Sequence, residues 1–148
     1  MTTYWVRPAR PADLKAVREL ARRVRREHRL AVRESEPTAA GGVDDRMWVV
    51  EAGRAEIVGS CGVGERPDGV WELHSLFLAP EWRGFGLGRA LVERALDEAR
   101  RGGGLSVACD VPGELPEAAG MLRRLGFEPE GADALAPRRF VKPLGRAS

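Results

Sequence analysis

Apolar positions recur along this chain with two different periods. Leu14, Val17, Leu20, Ala21 and Val24 return every three or four residues, as do Leu87, Leu91, Ala95 and Leu96, and both sets predict helices. A third helix is expected from Pro116 to Leu125, ended by Gly126. Strand-like runs fill the rest: Tyr4–Arg7, Met47–Ala52, Glu56–Gly64, Val70–Leu78, Leu105–Val111, Phe127–Glu130 and Arg138–Pro143. The stretch from Pro8 to Asp13 opens the first helix, with Pro11 near its first turn and Asp13 at the favourable end of the dipole.

Turn residues set the connections. Gly53-Arg54 and Arg66-Pro67-Asp68-Gly69 read as hairpin turns, so the three strands between Met47 and Leu78 form an antiparallel meander. The helix from Leu87 stops at Gly102-Gly103-Gly104, after Arg100 and Arg101 in its last turn. It connects Val70–Leu78 to Leu105–Val111, and those two strands should therefore run parallel. The expected fold class is α+β, with one mixed, mostly antiparallel sheet flanked by helices. Glu36 to Asp45 is a loop by its Pro, Gly and Asp content and a candidate substrate lid. Gly145–Ser148 reads as a frayed tail.

The chemistry concentrates between the Val70–Leu78 strand and the helix after it. Arg83-Gly84-Phe85-Gly86-Leu87-Gly88 places three glycines in a strand-to-helix turn, where a Cβ would obstruct a close approach to the backbone. Free N–H groups and the dipole at the helix start suit an anion such as a phosphate. A nucleotide P-loop would end in Gly-Lys-Ser/Thr, whereas this chain has Gly88-Arg89-Ala90. A dinucleotide fingerprint would be GxGxxG near the start of a βαβ unit; here the glycines run GxGxG after several strands. A tight turn with glycines for packing alone is the competing explanation.

Composition narrows the classes. A length of 148 residues suits one domain with a real core, and 43% hydrophobic with 31% charged residues is ordinary for a globular protein. No apolar run approaches the ~20 residues of a membrane span, and the first residues lack the apolar stretch of a signal peptide, so a cytoplasmic protein is expected. Cys61 and Cys109 lie in separate strand-like runs without CxxC spacing, which argues against a zinc site or a disulfide framework. The net charge of +2 is too small to imply a polyanionic partner. Arginines 18, 22, 25, 26 and 29 lie largely off the apolar stripe of the first helix, and Arg22–Arg33 is the one local case for nucleic acid. A solvated face with Glu19, Glu27 and Glu34 as partners explains it as well. Asn and Gln are absent and nearly all basic residues are arginine, as a GC-rich bacterial genome would produce, the alternative being avoidance of thermolabile amides in a heat-loving host.

Arg83 to Gly88 matches R/Q-x-x-G-x-G/A, and so resembles the pyrophosphate loop of the GNAT superfamily of acetyl-CoA-dependent N-acetyltransferases. The order of elements is similar to that family's layout over nearly the whole chain. IVGSCGV resembles its third strand, ELHSLFLAPEWRG its fourth, LRRLGF its last helix and RFVKPL its closing strand. Within the superfamily, WVVEAGRAEIVGSCGV and ELPEAAGMLRRLGF look most like bacterial small-molecule or amino-acid-type members. The resemblance implies six to seven strands, with the fourth and fifth parallel and splayed. The pantetheine arm of acetyl-CoA would lie along Leu76, Phe77 and Leu78. Its pyrophosphate would rest on the N–H groups of Gly84, Phe85, Gly86, Leu87, Gly88 and Arg89, with charge from Arg83 and Arg89. An N–H near Leu78 would polarise the thioester carbonyl.

The implied reaction moves acetyl to a primary amine by direct attack, without a metal. An alkylammonium is almost wholly protonated at neutral pH, so a base is needed. Glu72 stands where some members carry a glutamate base, and His74 is on the same strand face. Against these roles, Glu72 also reads as a solvated strand-end carboxylate and His74 as a packed core histidine. One departure stands out: Leu122 occupies the place of a tyrosine that protonates the leaving thiolate in many members, and Leu115 lies near the place of a common asparagine. Water as the acid, slow catalysis, or an acyl-CoA-sensing module without turnover would each accommodate this. Cys109, inside an apolar strand, reads as inert packing. The expected partners are acetyl-CoA and an amine acceptor, with a homodimer compatible because sheet edges need cover.

Overall fold

The computed structural model describes residues 3–27, 45–111, 116–131 and 139–145. The expected lid over 36–44, Leu115 and the end of the tail lie outside them. The strands are β1 (Tyr4–Pro8), β2 (Arg46–Ala52), β3 (Glu56–Glu65), β4 (Val70–Leu78), β5 (Ser106–Asp110), β6 (Glu128–Pro129) and β7 (Arg139–Pro143). The helices are α1 (Leu14–Glu27), α2 (Leu87–Arg101) and α3 (Pro116–Arg124). All seven strands form one sheet in the order β1-β2-β3-β4-β5-β7-β6. Every neighbouring pair is antiparallel except β4 and β5. The meander and the parallel pair therefore stand as the turn residues and the intervening helix predict.

The first helix opens differently from the expectation. β1 continues through Pro8, which pairs with Trp48, and a short 3-10 turn at Pro11–Asp13 precedes α1. Proline is tolerated there because β1 is the edge strand and misses no inner ladder bond. Asp13 accepts the Arg10 N–H at 2.7 Å and binds Arg7 at 2.8 Å, while Arg7 also reaches Glu51 at 2.9 Å. The Arg7 guanidinium holds the Asp13 carboxyl below the usual carboxylate range, against the opposing effect of burial.

The apolar stripes meet over the sheet. Val17, Leu20, Ala21 and Val24 of α1 are buried, as are Leu87, Leu91, Val92, Ala95, Leu96 and Ala99 of α2. Phe127, Phe140, Leu73, Leu91 and Leu122 are the largest fully buried side chains. The glycine run that ends α2 has a packing reason. Gly102 and Gly104 lie against the Trp71 indole of β4, where any Cβ would overlap the ring, and Gly103 takes a φ of +77°. No helix among the described residues is long and apolar enough to cross a membrane.

Two irregularities shape the second half of β4. Its pairing with β5 runs from Val70↔Ser106 to Leu73↔Cys109 and then stops, so the strands part beyond Leu73. On its other side, the register with β3 shifts between Ser60↔Phe77 and Gly62↔His74, leaving Ser75 and Leu76 opposite Cys61. Ser75 occupies the left-handed region with φ +54°, and its carbonyl accepts a 2.7 Å bond from the buried Ser60 hydroxyl. Leu73 closes the core at the point of parting. Leu73→Ala should cost about 2–5 kcal/mol, read as a lower denaturation midpoint at unchanged slope.

Candidate functional site

Where β4 leaves β5 a cavity of about 420 Å³ opens. Leu76, Phe77 and Leu78 of β4 line one side, together with Val24 of α1. The glycine turn and the first residues of α2 line another, and Ala118, Met121, Arg124 and Leu125 of α3 close it. Gly86 is the first residue flanking α2, with φ +78° and no side-chain cap. The first intrahelical bond runs from the Ala90 N–H to the Gly86 carbonyl at 3.1 Å. The N–H groups of Gly86, Leu87, Gly88 and Arg89 thus precede the helical ladder. A Cβ at Gly84 (φ +88°) or Gly86 would meet no protein atom within 4 Å. Packing does not demand these two glycines; their backbone conformation does, together with clearance toward the cavity. Gly88 differs, since a Cβ there would lie 2.9 Å from the Met121 sulfur, and its smallness lets α3 approach.

Arg83 is committed elsewhere. Its guanidinium donates to the Leu78 carbonyl at 3.2 and 3.0 Å and to both Glu27 oxygens at 2.7 and 2.9 Å, tying the end of β4 to α1. Arg89 lines the cavity and pairs with Glu93 at 2.8 Å. Phe85 is 60% exposed and stands against Trp82, outside the cavity wall.

A polar cluster lies on the face of β4 that carries Glu72 and His74. Two glycines of β3, Gly62 and Gly64, pair with these residues and leave a trough. The His74 ring covers Gly62, where a Cβ would come within 2.5 Å of its Cε1, and Asp45 fills the space over Gly64. His74 Nε2 is 2.9 Å from Asp45 Oδ2, and Nδ1 is 2.9 Å from Ser75 Oγ. Arg66 grips both Asp45 oxygens at 3.0 Å. Burial works to raise the Asp45 pKa, but Arg66 and His74 outweigh it and keep the carboxylate below its ordinary value. Burial of His74 lowers its pKa from the ordinary 6.5, and Asp45 only partly offsets that effect. The ring is therefore neutral at pH 7. An ionised Asp45 can only accept, so the ring proton belongs on Nε2 and the lone pair on Nδ1.

Glu72 is held differently. Arg139 of β7 reaches its two oxygens at 3.3 and 3.2 Å, and also binds Asp110 at 2.9 Å and Glu130 at 3.3 Å. The Cys109 thiol is pushed up to about 12, first by burial and then by the charges of Glu72 and Asp110, which leaves it protonated and inert at neutral pH.

A family model described as Acetyltransferase (GNAT) family matches residues 14–127. The chain belongs to the GNAT family. An uncharacterized N-acetyltransferase of Methanocaldococcus jannaschii is 39% identical over 59 residues, a match spanning 40% of this chain and 26% of that protein. A GNAT-family acetyltransferase structure from Staphylococcus aureus superposes with a TM-score of 0.85 at 11% identity, covering 97% of this chain and 100% of that one. The PaiA N-acetyltransferase of Thermoplasma acidophilum, solved with coenzyme A, gives 0.78 at 17% identity, covering 96% and 99%. These likenesses bear on the GNAT fold.

Within this GNAT chain the residues singled out from sequence, Phe85 apart, fall into two groups. Leu76, Phe77, Leu78, Arg83, Gly84, Gly86, Leu87, Gly88 and Arg89 line the cavity, and Glu72 and His74 lie along the same strand. Leu122 is fully buried in the core, while Met121 beside it faces the cavity. Sequence reasoning missed Arg66, Ser75 and Arg139, and placed Asp45 only at the end of the candidate lid, whereas it binds Arg66 and His74. The alternating glycines of GSCGVGE, opposite His74 and Glu72, were the available signal. On α1, Arg25 lies over the Phe77 ring at 5.6 Å and Arg23 pairs with Glu81 at 2.7 Å.

The depressed His74 pKa has a defined consequence for stability. As pH falls below about 6.5, the unfolded imidazole takes up a proton that the folded one resists. Stability contributed by this group is thus complete above that pH and is lost on going down through the folded pKa. NMR titration should place the His74 midpoint below 6.5, and His74→Phe, which cannot titrate, should flatten this part of the stability–pH curve.

Proposed function

We propose that this chain transfers acetyl from acetyl-CoA to a primary amine of a small molecule or peptide, by direct attack within a ternary complex. The observation that carries this is the uncapped α2 N-terminus, with Gly84 and Gly86 open toward a cavity made by the parting of β4 and β5. Four N–H groups ahead of the helical ladder and the helix dipole suit a pyrophosphate. The apolar run Leu76–Leu78 suits a pantetheine arm. Acetyl-CoA supplies an activated thioester, and the chain supplies position and proton transfer.

The acceptor nitrogen loses two protons on becoming an amide. His74 is the base best supported by its surroundings, being neutral and carrying a lone pair on Nδ1. The Glu72 carboxylate, half of a bidentate pair with Arg139, is the second candidate and is less free to accept. A specific observation favours one other reading. Leu122 is fully buried and offers no acid for the leaving thiolate, as expected of a module that binds acyl-CoA without turnover.

Calorimetric titration with acetyl-CoA, followed by a free-thiol release assay over a panel of amines, tests these alternatives. Saturable binding with thiol release is expected; binding without release on any amine would favour the sensor. Gly86→Glu places a carboxylate at the anion site. Acetyl-CoA binding should weaken about a hundredfold or more, the ~3 kcal/mol of one or two charge-assisted hydrogen bonds, with an unchanged circular dichroism spectrum. Normal affinity in that variant would remove the anion-site assignment.

A further inference from the structure

We propose that Asp45, His74 and Ser75 form a proton relay in which the Ser75 hydroxyl exchanges protons with the reacting groups, first as base and then as acid. The proposal rests on the acetyltransferase reading above and names residues that neither the glycine loop nor the family match assigns.

The geometry is a chain of two short contacts. Arg66 keeps Asp45 ionised, Asp45 accepts from His74 Nε2 at 2.9 Å, and His74 Nδ1 accepts from Ser75 Oγ at 2.9 Å. An acceptor-only carboxylate fixes the tautomer, and the tautomer fixes the direction of the Ser75 O–H. Neighbouring side chains on a regular strand point to opposite faces, so Ser75 would ordinarily turn away from His74. The bulge changes this. Ser75 has φ +54°, a conformation unfavourable for a residue with a Cβ, and it brings Oγ onto the His74 ring. The Ser60 hydroxyl pins the strained peptide through the Ser75 carbonyl at 2.7 Å. Ser75 is 8% exposed and directly precedes Leu76, the first β4 residue on the cavity wall. A strained serine bonded to a neutral imidazole, one residue before the cavity wall, is the arrangement a relay requires.

The proton balance closes within the site. The acceptor ammonium gives its first proton to water. As the amine nitrogen bonds to the thioester carbon, its second proton passes to Ser75 Oγ while the Ser75 proton passes to His74 Nδ1. The imidazolium is stabilised by Asp45. As the carbon–sulfur bond breaks, His74 returns the proton through Ser75 to the thiolate. The products are amide and free thiol, with the relay restored. One group thereby serves as base and acid, and the leucine at position 122 leaves no gap in the chemistry. The charged groups facing His74 are Asp45, Arg66 and Glu72, the last bound by Arg139.

Ser75→Gly tests the relay without threatening the fold, because glycine favours this φ. Melting temperature should hold or rise and acetyl-CoA affinity by calorimetry should be unchanged, while kcat for thiol release falls about a hundredfold, within the range of general acid–base catalysis. Asp45→Asn should lower kcat and move the acid limb of the pH–rate profile to lower pH, because Asp45 raises the His74 pKa. Asp45→Glu should restore part of the rate. Full kcat in Ser75→Gly, or an unmoved acid limb in Asp45→Asn, would overturn the relay. Should the wild-type protein turn over no amine, the acetyltransferase reading fails on its own. The hydrogen-bond frame then remains readable by ¹⁵N NMR of His74: a proton on Nε2 is expected, and a proton on Nδ1 overturns the relay.

Discussion

The structure depends on one interruption in its hydrogen-bond ladder. β4 and β5 are held parallel by the α2 crossover and pair only as far as Leu73 and Cys109. Beyond that point, among the described residues, β4 has β3 as its single strand partner and its other edge is open. Backbone groups on an open edge need partners from elsewhere. Arg83 satisfies the carbonyl of Leu78, and the cavity takes the remaining edge. Beside the same opening stands the α2 N-terminus, its first N–H groups ahead of the helical ladder and without a side-chain cap. The proposed anion site and the apolar wall from Leu76 to Leu78 thus share a single topological origin.

Charge on this face is arranged in matched pairs. Asp45 meets Arg66, Glu72 meets Arg139, and Arg7 bridges Asp13 and Glu51 at the other end of the sheet. Half-buried carboxylates would be costly alone, and each guanidinium offsets that cost by bidentate or bridging contact. Arg66 thereby keeps Asp45 ionised where the cluster around His74 needs an acceptor. His74 itself carries no such guanidinium partner, and burial leaves it neutral. Ionised acid beside neutral imidazole is what gives this cluster its directional hydrogen bonding.

The two strained or cramped features, Ser75 and the Gly62–Gly64 trough, belong to one device. A bulge in β4 rotates Ser75 toward His74, and missing side chains on β3 give the ring and Asp45 room to lie flat. An ordinary pair of strands would bury His74 under a β3 side chain and turn Ser75 to the opposite face.

Much of this molecule was legible in the chain alone. Helix periodicity, the hairpin turns and the parallel crossover are local or nearly local signals, and so are the glycines from Arg83 to Gly88, because turn conformation constrains residue type in place. The family resemblance rested on them, and it was the resemblance that implied the residues from Leu76 to Arg89 now seen along the cavity. The first helix opened later than expected because an edge position let Pro8 remain in β1. The identity of the groups around the candidate bases was not legible. Asp45 lies 29 positions from His74 and Arg139 lies 67 from Glu72, and nothing local links them. Strand pairing alone brings them together. Leu122 read as a missing acid, and the fold shows it as core. The sequence by itself determined the glycine turn and the order of elements, since both are written in short-range sterics. Only the tertiary structure decided which acid, which arginine and which hydroxyl meet His74, because register and bulge are settled by packing across the whole sheet.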